Sequence, residues 1–434
     1  MNHEVNNRGH LMIGGVSVKE LADQYGTPLY VYDVGKIRSN ARAFVETFRE
    51  YDVPAQVAYA SKAFSSVAML QVAGQEGLSL DVVSEGELHT ALEAGFPVGK
   101  IHMHGNNKSI RELEMAVDYG IGCIVVDNFY EMELLDAILT EKNTEIDVLL
   151  RVTPGIEAHT HDYILTGQED SKFGFDLGSG QAELAFEKLK DHRKIHVIGL
   201  HCHIGSQIFE TNGFEMATRK LFETLEEWRE KHGYEASVLN LGGGFGIQYT
   251  KEDRPLDLDQ YAHSLIKEVK HLSKQYQYPM PEIWIEPGRA IVGEAGTTIY
   301  TLGSLKEVPG VRTYVSVDGG MTDNIRPALY QAKYEAALAE RMTEDPVKEY
   351  SIAGKCCESG DMLIWDVALP EVEHGDRLAV FSTGAYGYAM ANNYNRFQKA
   401  AVVFVEDGKH QLVVRRETYQ EMTRLDLSYE NGKG

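Results

Sequence analysis

The sequence predicts a (β/α)8 barrel of the TIM type joined to an all-β domain. Two observations support this fold class. Apolar runs of strand length alternate with stretches that suit helices, and the alternation stops after Arg289, where strand-like runs follow one another. Alternation of this kind implies parallel strands with crossover helices. No GxGxxG follows an early strand, which disfavours an open doubly wound sheet, the competing architecture.

Eight apolar runs predict the barrel strands. They are residues 56–60, 78–83, 100–104, 123–127, 147–152, 196–201, 237–241 and 282–285. Helices are predicted at 36–50, 85–94, 110–119, 130–140, 182–189, 213–232 and 258–276. The alternation extends over about 230 residues, close to the roughly 250 of a typical barrel. We therefore expect the barrel domain at residues 36–290.

The rest of the chain predicts a second domain, resembling a β-sandwich or β-barrel, from residues 1–35 and 291–434. Its strand-like runs are 297–308, 312–317, 348–352, 361–367, 377–381, 400–405 and 411–415. Only short helical pieces interrupt them, as in all-β folds. The strand-like run 27–33 precedes the barrel, so we expect it to join this domain.

Composition narrows the class of protein. A net charge of −23 over 434 residues argues against nucleic acid and anionic membranes as partners. Two of the four cysteines, Cys356 and Cys357, are adjacent, which disfavours a disulfide framework and a metal knuckle. The N-terminus lacks a signal pattern, and no apolar run approaches the roughly 20 residues of a spanning helix. We expect a cytoplasmic protein with reduced thiols.

Barrel enzymes carry their chemistry at the carboxyl ends of the strands, so candidates are sought there. Lys62 follows the first strand between small residues. A lysine that is partly desolvated at a barrel mouth has a lowered pKa and forms a Schiff base readily. Glu286 and Arg289 follow the eighth strand, which proline and glycine end. Each residue alone is more often an ordinary surface group.

The sixth strand ends in His201-Cys202-His203, and alternation places both histidines on one face. Either the two histidines bind a metal, or one imidazole packs on a planar ligand. No convergent carboxylate set accompanies each pair, which weakens the metal interpretation, and we expect no metal. The same spacing recurs in His102 with His104 and in His159 with His161.

The seventh strand ends in the glycine run 242–244, followed by Phe245 and Gly246. Backbone without side chains lets N–H groups approach an anion, and barrels often bind phosphate after strands 7 and 8. A lysine, a stacking histidine, a phosphate cradle and a carboxylate now end four different strands. Together they match pyridoxal phosphate, because a carboxylate keeps its ring nitrogen protonated as an electron sink.

At these residues the chain resembles the fold-type III pyridoxal-phosphate decarboxylases, and within them the branch that acts on diaminopimelate. The resemblance extends from Gly26 to the region of Tyr386, and its order and spacing are specific. The segments that carry it are YASKAF, HCHIGSQ, GGGFG, EPGR, DGGM, NIRPALY, CESGD and GAYGYAM.

The resemblance implies decarboxylation of meso-2,6-diaminopimelate to L-lysine with pyridoxal phosphate as cofactor. Lys62 would form the Schiff base, Glu286 would pair with the pyridine nitrogen, and Cys357 would return a proton to Cα. The implied cofactor contacts are Lys62, His203, Ser206, Gly243, Gly244, Glu286, Gly288, Arg289 and Tyr386. The implied substrate contacts are Arg289, Arg326, Tyr330, Glu358 and Tyr386. The resemblance also implies a homodimer with shared active sites, because in the family the CESGD segment reaches the active site of the partner subunit.

Several alternatives stay open at this point. A sister decarboxylase would act on ornithine, arginine or carboxynorspermidine, but Arg326 and Glu358 favour a substrate with both a carboxylate and an amine at its far end. An amino-acid racemase would pair the ring nitrogen with arginine, and Glu286 argues against it. A metal-dependent barrel hydrolase would use the histidine pairs. A catalytically inactive homologue would usually lack Lys62 or Cys357.

Overall fold

The computed structural model describes residues 3–156 and 171–429. The chain divides into two compact units. One comprises residues 36–293, and the other joins residues 1–35 to residues 294–434.

Within the described residues, the secondary structure is as follows. The strands are β1 (Glu4–Val5), β2 (Leu11–Ile13), β3 (Val16–Ser17), β4 (Leu29–Asp33), β5 (Ala55–Ala60), β6 (Ser79–Val82), β7 (Ile101–Met103), β8 (Cys123–Val126), β9 (Ile146–Thr153), β10 (Phe175–Asp176), β11 (Ile195–His201), β12 (Val238–Asn240), β13 (Glu282–Ile285), β14 (Gly296–Val308), β15 (Arg312–Val317), β16 (Ala336–Leu338), β17 (Lys348–Ala353), β18 (Met362–Leu369), β19 (Arg377–Val380), β20 (Ala401–Glu406) and β21 (Lys409–Val414). The α-helices are α1 (Val18–Tyr25), α2 (Val34–Glu50), α3 (Val67–Gln75), α4 (Glu85–Glu93), α5 (Ile110–Tyr119), α6 (Phe129–Lys142), α7 (Gln181–Leu189), α8 (Asn212–His232), α9 (Leu258–Gln275), α10 (Arg289–Val292), α11 (Arg326–Tyr330) and α12 (Tyr419–Thr423).

The unit of residues 36–293 is a closed barrel of eight parallel strands. The strands follow the order β5, β6, β7, β8, β9, β11, β12, β13, and β13 pairs with β5 to close the ring. The short strand β10 adds to β9 outside this ring. The predicted barrel is therefore confirmed, and each of the eight apolar runs forms one strand. Closure brings the carboxyl ends of all eight strands to one end of the barrel.

The predicted helices are present, with ends that differ by at most two residues. Capping explains several boundaries. Ser109 and Glu112 form a capping box at the start of α5, and Gly120 ends that helix in the left-handed conformation at φ +64°. Helix α3 was not predicted, because the segment 67–75 is apolar on most of its surface and shows no helical period.

The second unit is built mainly from strands. Strand β4 pairs antiparallel with β14 and parallel with β20, in a sheet of order β18-β17-β15-β14-β4-β20-β21. The prediction that the early strand joins the C-terminal β domain is therefore confirmed. Leu29, Val31, Ile299 and Val403 are buried in its core, as alternating strand residues are.

Two features of the whole chain bear on its chemistry. All four cysteines are free, and Cys357 alone among them is exposed. Among the described residues, none of the helices is both long enough and apolar enough to cross a bilayer.

Candidate active site

The carboxylate of Glu286 lies at the carboxyl end of the barrel, immediately after β13, and is buried. Its Oε1 accepts a hydrogen bond from Asn240 Nδ2 at 2.7 Å and lies 3.0 Å from His104 Nε2. Its Oε2 lies 3.1 Å from His201 Nε2. Since these partners follow or end three other strands, the closure of the barrel is what brings them together.

Electrostatics keep Glu286 ionised. Burial alone would raise the pKa of this carboxyl group, but the neighbouring imidazoles of His104 and His201 hold its pKa well below the usual range. Burial also lowers the pKa of His201 to about 4, so this histidine is neutral and donates through Nε2. The carboxylate predicted at the end of the eighth strand is therefore a buried anion held by hydrogen-bond donors.

His203 and the glycine run lie beside this carboxylate. The Gly243 N–H donates to His203 Nδ1 at 3.2 Å, so the ring proton is on Nε2. Burial lowers the pKa of His203 well below its usual value, and the positive charge of Lys62 adds to the effect. A Cβ on Gly243 would lie 2.1 Å from the Glu286 carbonyl oxygen, so only glycine fits there. His203 is thus a neutral, half-buried ring.

A second cluster combines hydroxyl groups, a guanidinium and bare backbone. Arg289 is buried and donates to Ser206 Oγ at 2.9 Å and to the Tyr249 hydroxyl at 2.5 Å. Gly244 has φ +109°, and a Cβ there would lie 2.3 Å from the carbonyl oxygen of Gly205. The arrangement offers a cation, hydroxyls and backbone to an anion such as phosphate. Tyr249 was missed by the sequence reasoning, although it closely follows the glycine run.

The turn that carries Gly288 packs on the end of β5. The N–H of Ala60 donates to the Pro287 carbonyl at 3.2 Å, and a Cβ on Gly288 would lie 3.0 Å from Ala60 Cβ. Lys62 follows in a 3-10 turn, Ser61–Ala63, and is exposed between two buried neighbours. In the single chain Lys62 is exposed, yet its positive charge lowers the pKa of the nearby His203. The partial desolvation expected of this lysine stays a prediction.

Apart from Arg289, the predicted substrate contacts belong to the other unit, and they are only partly brought together. Arg326 begins α11, is buried, and donates to the Tyr334 hydroxyl at 2.7 Å. Its guanidinium carbon lies 5.9 Å from the ring centroids of Tyr334 and Tyr386, within the range of a cation–π contact. Tyr330, at the end of α11, is 46% exposed. Tyr334 was missed by the sequence reasoning.

Cys357 and Glu358 lie in the turn between β17 and β18, and both are exposed. The Cys357 N–H donates to Asn395 Oδ1 at 2.8 Å. Asp361 accepts from the N–H groups of Met321 at 2.6 Å and Cys356 at 2.8 Å, and so fixes the base of the turn. Asp361 is the last residue of the CESGD segment that carries the resemblance, whereas no sequence motif pointed to Asn395.

His201 and His203 do not act as a pair. His201, which ends β11, contacts Glu286, whereas His203, two residues further on, contacts Gly243. Among the described residues, one group from different strands brings its ligand atoms within 4.8 Å of one another at the barrel end, His104, His201 and Glu286. His159 and His161 lie outside the described residues.

The residues of the barrel end fit pyridoxal phosphate. Lys62 supplies an amine, His203 a neutral planar ring, Glu286 a buried carboxylate, and Gly244 a backbone cradle that a Cβ would fill. These are the groups that the cofactor's aldehyde, ring and phosphate require.

Comparison with known proteins agrees with this chemistry. Residues 34–293 match the family model "Pyridoxal-dependent decarboxylase, pyridoxal binding domain". Over 427 residues the chain is 63% identical to diaminopimelate decarboxylase of Bacillus subtilis, covering 98% of this chain and 97% of that protein. It is 65% identical over 414 residues to that of Bacillus methanolicus, covering 95% and 96%. The crystal structure of diaminopimelate decarboxylase from M. jannaschii in co-complex with L-lysine is similar, with a TM-score of 0.92, 34% identity and coverage of 99% and 98%.

The fold, the barrel end and the matched domain define a pyridoxal-dependent decarboxylase, an enzyme whose cofactor is pyridoxal phosphate. Within that class, the extent and level of identity are decisive, and the chain belongs to the diaminopimelate decarboxylase family.

Proposed function

We propose that this enzyme converts meso-2,6-diaminopimelate to L-lysine and carbon dioxide. The observation that carries the proposal is the buried, ionised Glu286 beside the glycine cradle at the barrel end. The names of its relatives, and the L-lysine bound to the M. jannaschii protein, support the choice of substrate.

The residues of the barrel bind and orient the cofactor. When bound, pyridoxal phosphate supplies an electron sink for the electron pair left when carbon dioxide departs. The amine of Lys62 holds the cofactor aldehyde, and Glu286 keeps a proton on the ring nitrogen. The neutral ring of His203 packs on the cofactor ring. The residues assigned to the phosphate are Ser206, Gly243, Gly244, Gly288 and Arg289.

The residues of the other unit recognise the substrate and complete the proton transfer. Arg326 binds the distal carboxylate, because its planar guanidinium suits bidentate recognition, and Tyr330 supports it. Glu358 binds the distal amine by opposite charge, and Tyr386 contacts both the substrate and the cofactor. The thiol of Cys357 donates a proton to Cα after carbon dioxide departs.

The proposal includes a homodimer with shared active sites, in which Cys357 of one chain serves the Lys62 site of its partner. Its support is the exposure of Cys357 and Glu358 in their turn, together with the family resemblance of that segment. Mixing Lys62→Ala protein with Cys357→Ala protein tests it. Subunit exchange should restore about a quarter of wild-type activity, since half of randomly mixed dimers hold one complete site each. No recovery after demonstrated exchange would contradict sharing.

The substrate is tested by carbon dioxide release with pyridoxal phosphate added, from meso-diaminopimelate, ornithine, arginine and lysine in parallel. We expect release from diaminopimelate alone, with lysine as the product. Release only from ornithine or arginine would preserve the cofactor assignment but overturn the roles of Arg326 and Glu358.

A further inference from the structure

The imidazole of His104 lies between two buried carboxylates. This residue follows β7, and its N–H continues the ladder by donating to the Val82 carbonyl at 2.8 Å. Its Nε2 lies 3.0 Å from Glu286 Oε1 and 3.7 Å from Asp81 Oδ1. All three side chains are more than nine-tenths buried. One ring nitrogen therefore faces both acids inside the end of the barrel.

Of the three side chains that contact Glu286, His104 is the one that carries a positive charge. Burial alone would lower the pKa of His104, but Asp81 and Glu286 together outweigh burial and raise it. The other two partners of Glu286 are uncharged, because Asn240 carries an amide and His201 has its pKa lowered to about 4 by burial. The charge of buried Arg151 also acts on both carboxylates, but this guanidinium is the ion-pair partner of Asp127, at 3.8 Å. His104 is therefore the cation in direct contact with Glu286, a function that the neutral donors cannot take over.

We propose that His104 is a positioning residue that keeps Glu286 ionised and correctly oriented toward the ring nitrogen of pyridoxal phosphate. This inference rests on the proposed function, in which Glu286 holds the proton on that nitrogen. His104 does not touch the reacting atoms. It acts through Glu286, and Asp81 places a second negative charge 3.7 Å from the same ring nitrogen. Support of this kind holds a functional group within the narrow range of positions and orientations that its chemistry needs.

The same chain offers a matched control two residues away. His102 is equally buried and lies on β7, but its ring stacks on Trp284 with centroids 4.2 Å apart and 7° between the planes. Replacing either histidine with leucine removes a buried ring from the same region. Only the change at His104 removes a cation from Glu286.

The test compares His104→Leu, His104→Gln and His102→Leu with the wild type, each loaded with pyridoxal phosphate labelled with ¹⁵N in the ring. We expect the ¹⁵N resonance of bound cofactor to move toward unprotonated pyridine in His104→Leu, with kcat reduced about 10- to 100-fold, the usual effect of losing an outer partner of a functional group. His104→Gln restores a hydrogen-bond donor without the charge. The ¹⁵N resonance of its bound cofactor should therefore lie between those of the wild type and His104→Leu. His102→Leu should keep the wild-type resonance.

Each result decides the matter. An unchanged resonance in folded His104→Leu, or an equal shift in His102→Leu, would overturn the inference. If His104→Leu does not fold, a comparison of His104→Gln with His102→Gln tests the inference in the same way. Stoichiometric transition metal in the purified wild type would also overturn it, since the group would then be a metal site. If the wild type did not bind the cofactor, the proposed function itself would be contradicted. That result is distinguishable from an unchanged resonance in His104→Leu, which would contradict the inference about His104 alone.

Discussion

The two groups of candidate residues differ in how far a single chain fixes them. In the barrel, Glu286 and Arg289 are both buried, and both have hydrogen-bonded side-chain partners. In the β unit, Arg326 is buried against Tyr334, whereas Cys357 is exposed on its turn. The residues proposed to hold the cofactor are therefore largely preorganised, while part of the set proposed to bind the substrate is exposed.

This difference fits the two tasks proposed for these residues. A cofactor that stays bound through many turnovers gains from rigid partners, because their ordering is accomplished on folding rather than on binding. A thiol that donates a proton must reach a substrate that enters and leaves. Its exposure fits that task, and the backbone contacts of Asp361 and Asn395 fix the turn while leaving the thiol accessible.

The change that should break the cofactor side most completely is Lys62→Ala. We expect loss of carbon dioxide release and of the visible absorption of protein-bound cofactor, because the variant lacks the amine proposed to hold the cofactor aldehyde. Activity and absorption spectra of the dialysed, cofactor-loaded protein provide the check. Lys267→Ala, an exposed lysine on α9, is the control and should behave as wild type. Near-normal turnover by Lys62→Ala would refute the assignment.

The two adjacent cysteines sharpen the contrast on the substrate side. Cys357→Ala should lower kcat by about 10²- to 10⁴-fold, the usual contribution of a general acid. Cys356 is buried, and burial raises the pKa of its thiol to about 12, so Cys356→Ala should affect kcat far less. Steady-state kinetics measure both, and labelling with a charged thiol reagent should modify Cys357 first. Equal losses in the two variants would argue for a structural role of the turn instead.

A smaller effect is expected from Gly244→Ala in the phosphate cradle. The added Cβ would lie 2.3 Å from a backbone oxygen, and the residue would keep φ +109° at a strain of roughly 1–3 kcal/mol. Cofactor affinity should fall about 10- to 100-fold in an equilibrium titration. Gly99→Ala has open space around its Cβ and serves as the control. Unchanged affinity in the cradle variant would remove Gly244 from the phosphate site.

The smallest expected effect concerns pH and Asp323 in the β unit. Burial raises the pKa of this carboxyl from 3.8 to about 7, so between these values the folded chain keeps a proton that the unfolded chain loses. Its contribution to stability therefore falls as pH rises from about 4 to 7. The unfolding free energy of the wild type should fall between about pH 5 and pH 8. In Asp323→Asn this fall should be smaller by roughly 1–3 kcal/mol. Denaturant titrations of this variant, of exposed Asp407→Asn and of the wild type measure it, and parallel curves would contradict the prediction.

Much of this organisation was predictable from the sequence. The apolar runs predicted the eight barrel strands, and a barrel brings Lys62, His203 and Glu286 to one end whatever their spacing in the chain. What could not be predicted are contacts that depend on strand order and side-chain direction. His104 reaches Glu286, and Tyr249 reaches Arg289, only after closure. The different partners of His201 and His203 likewise depend on local packing that alternation alone does not describe.

The central claim is that the barrel end around Lys62 is the pyridoxal phosphate site. Reducing the cofactor-loaded protein with borohydride, digesting it and sequencing the labelled peptide by mass spectrometry tests this most directly. We expect a pyridoxyl group on Lys62 in the peptide that contains YASKAF. A label on a different lysine, or none in protein that releases carbon dioxide, would contradict it.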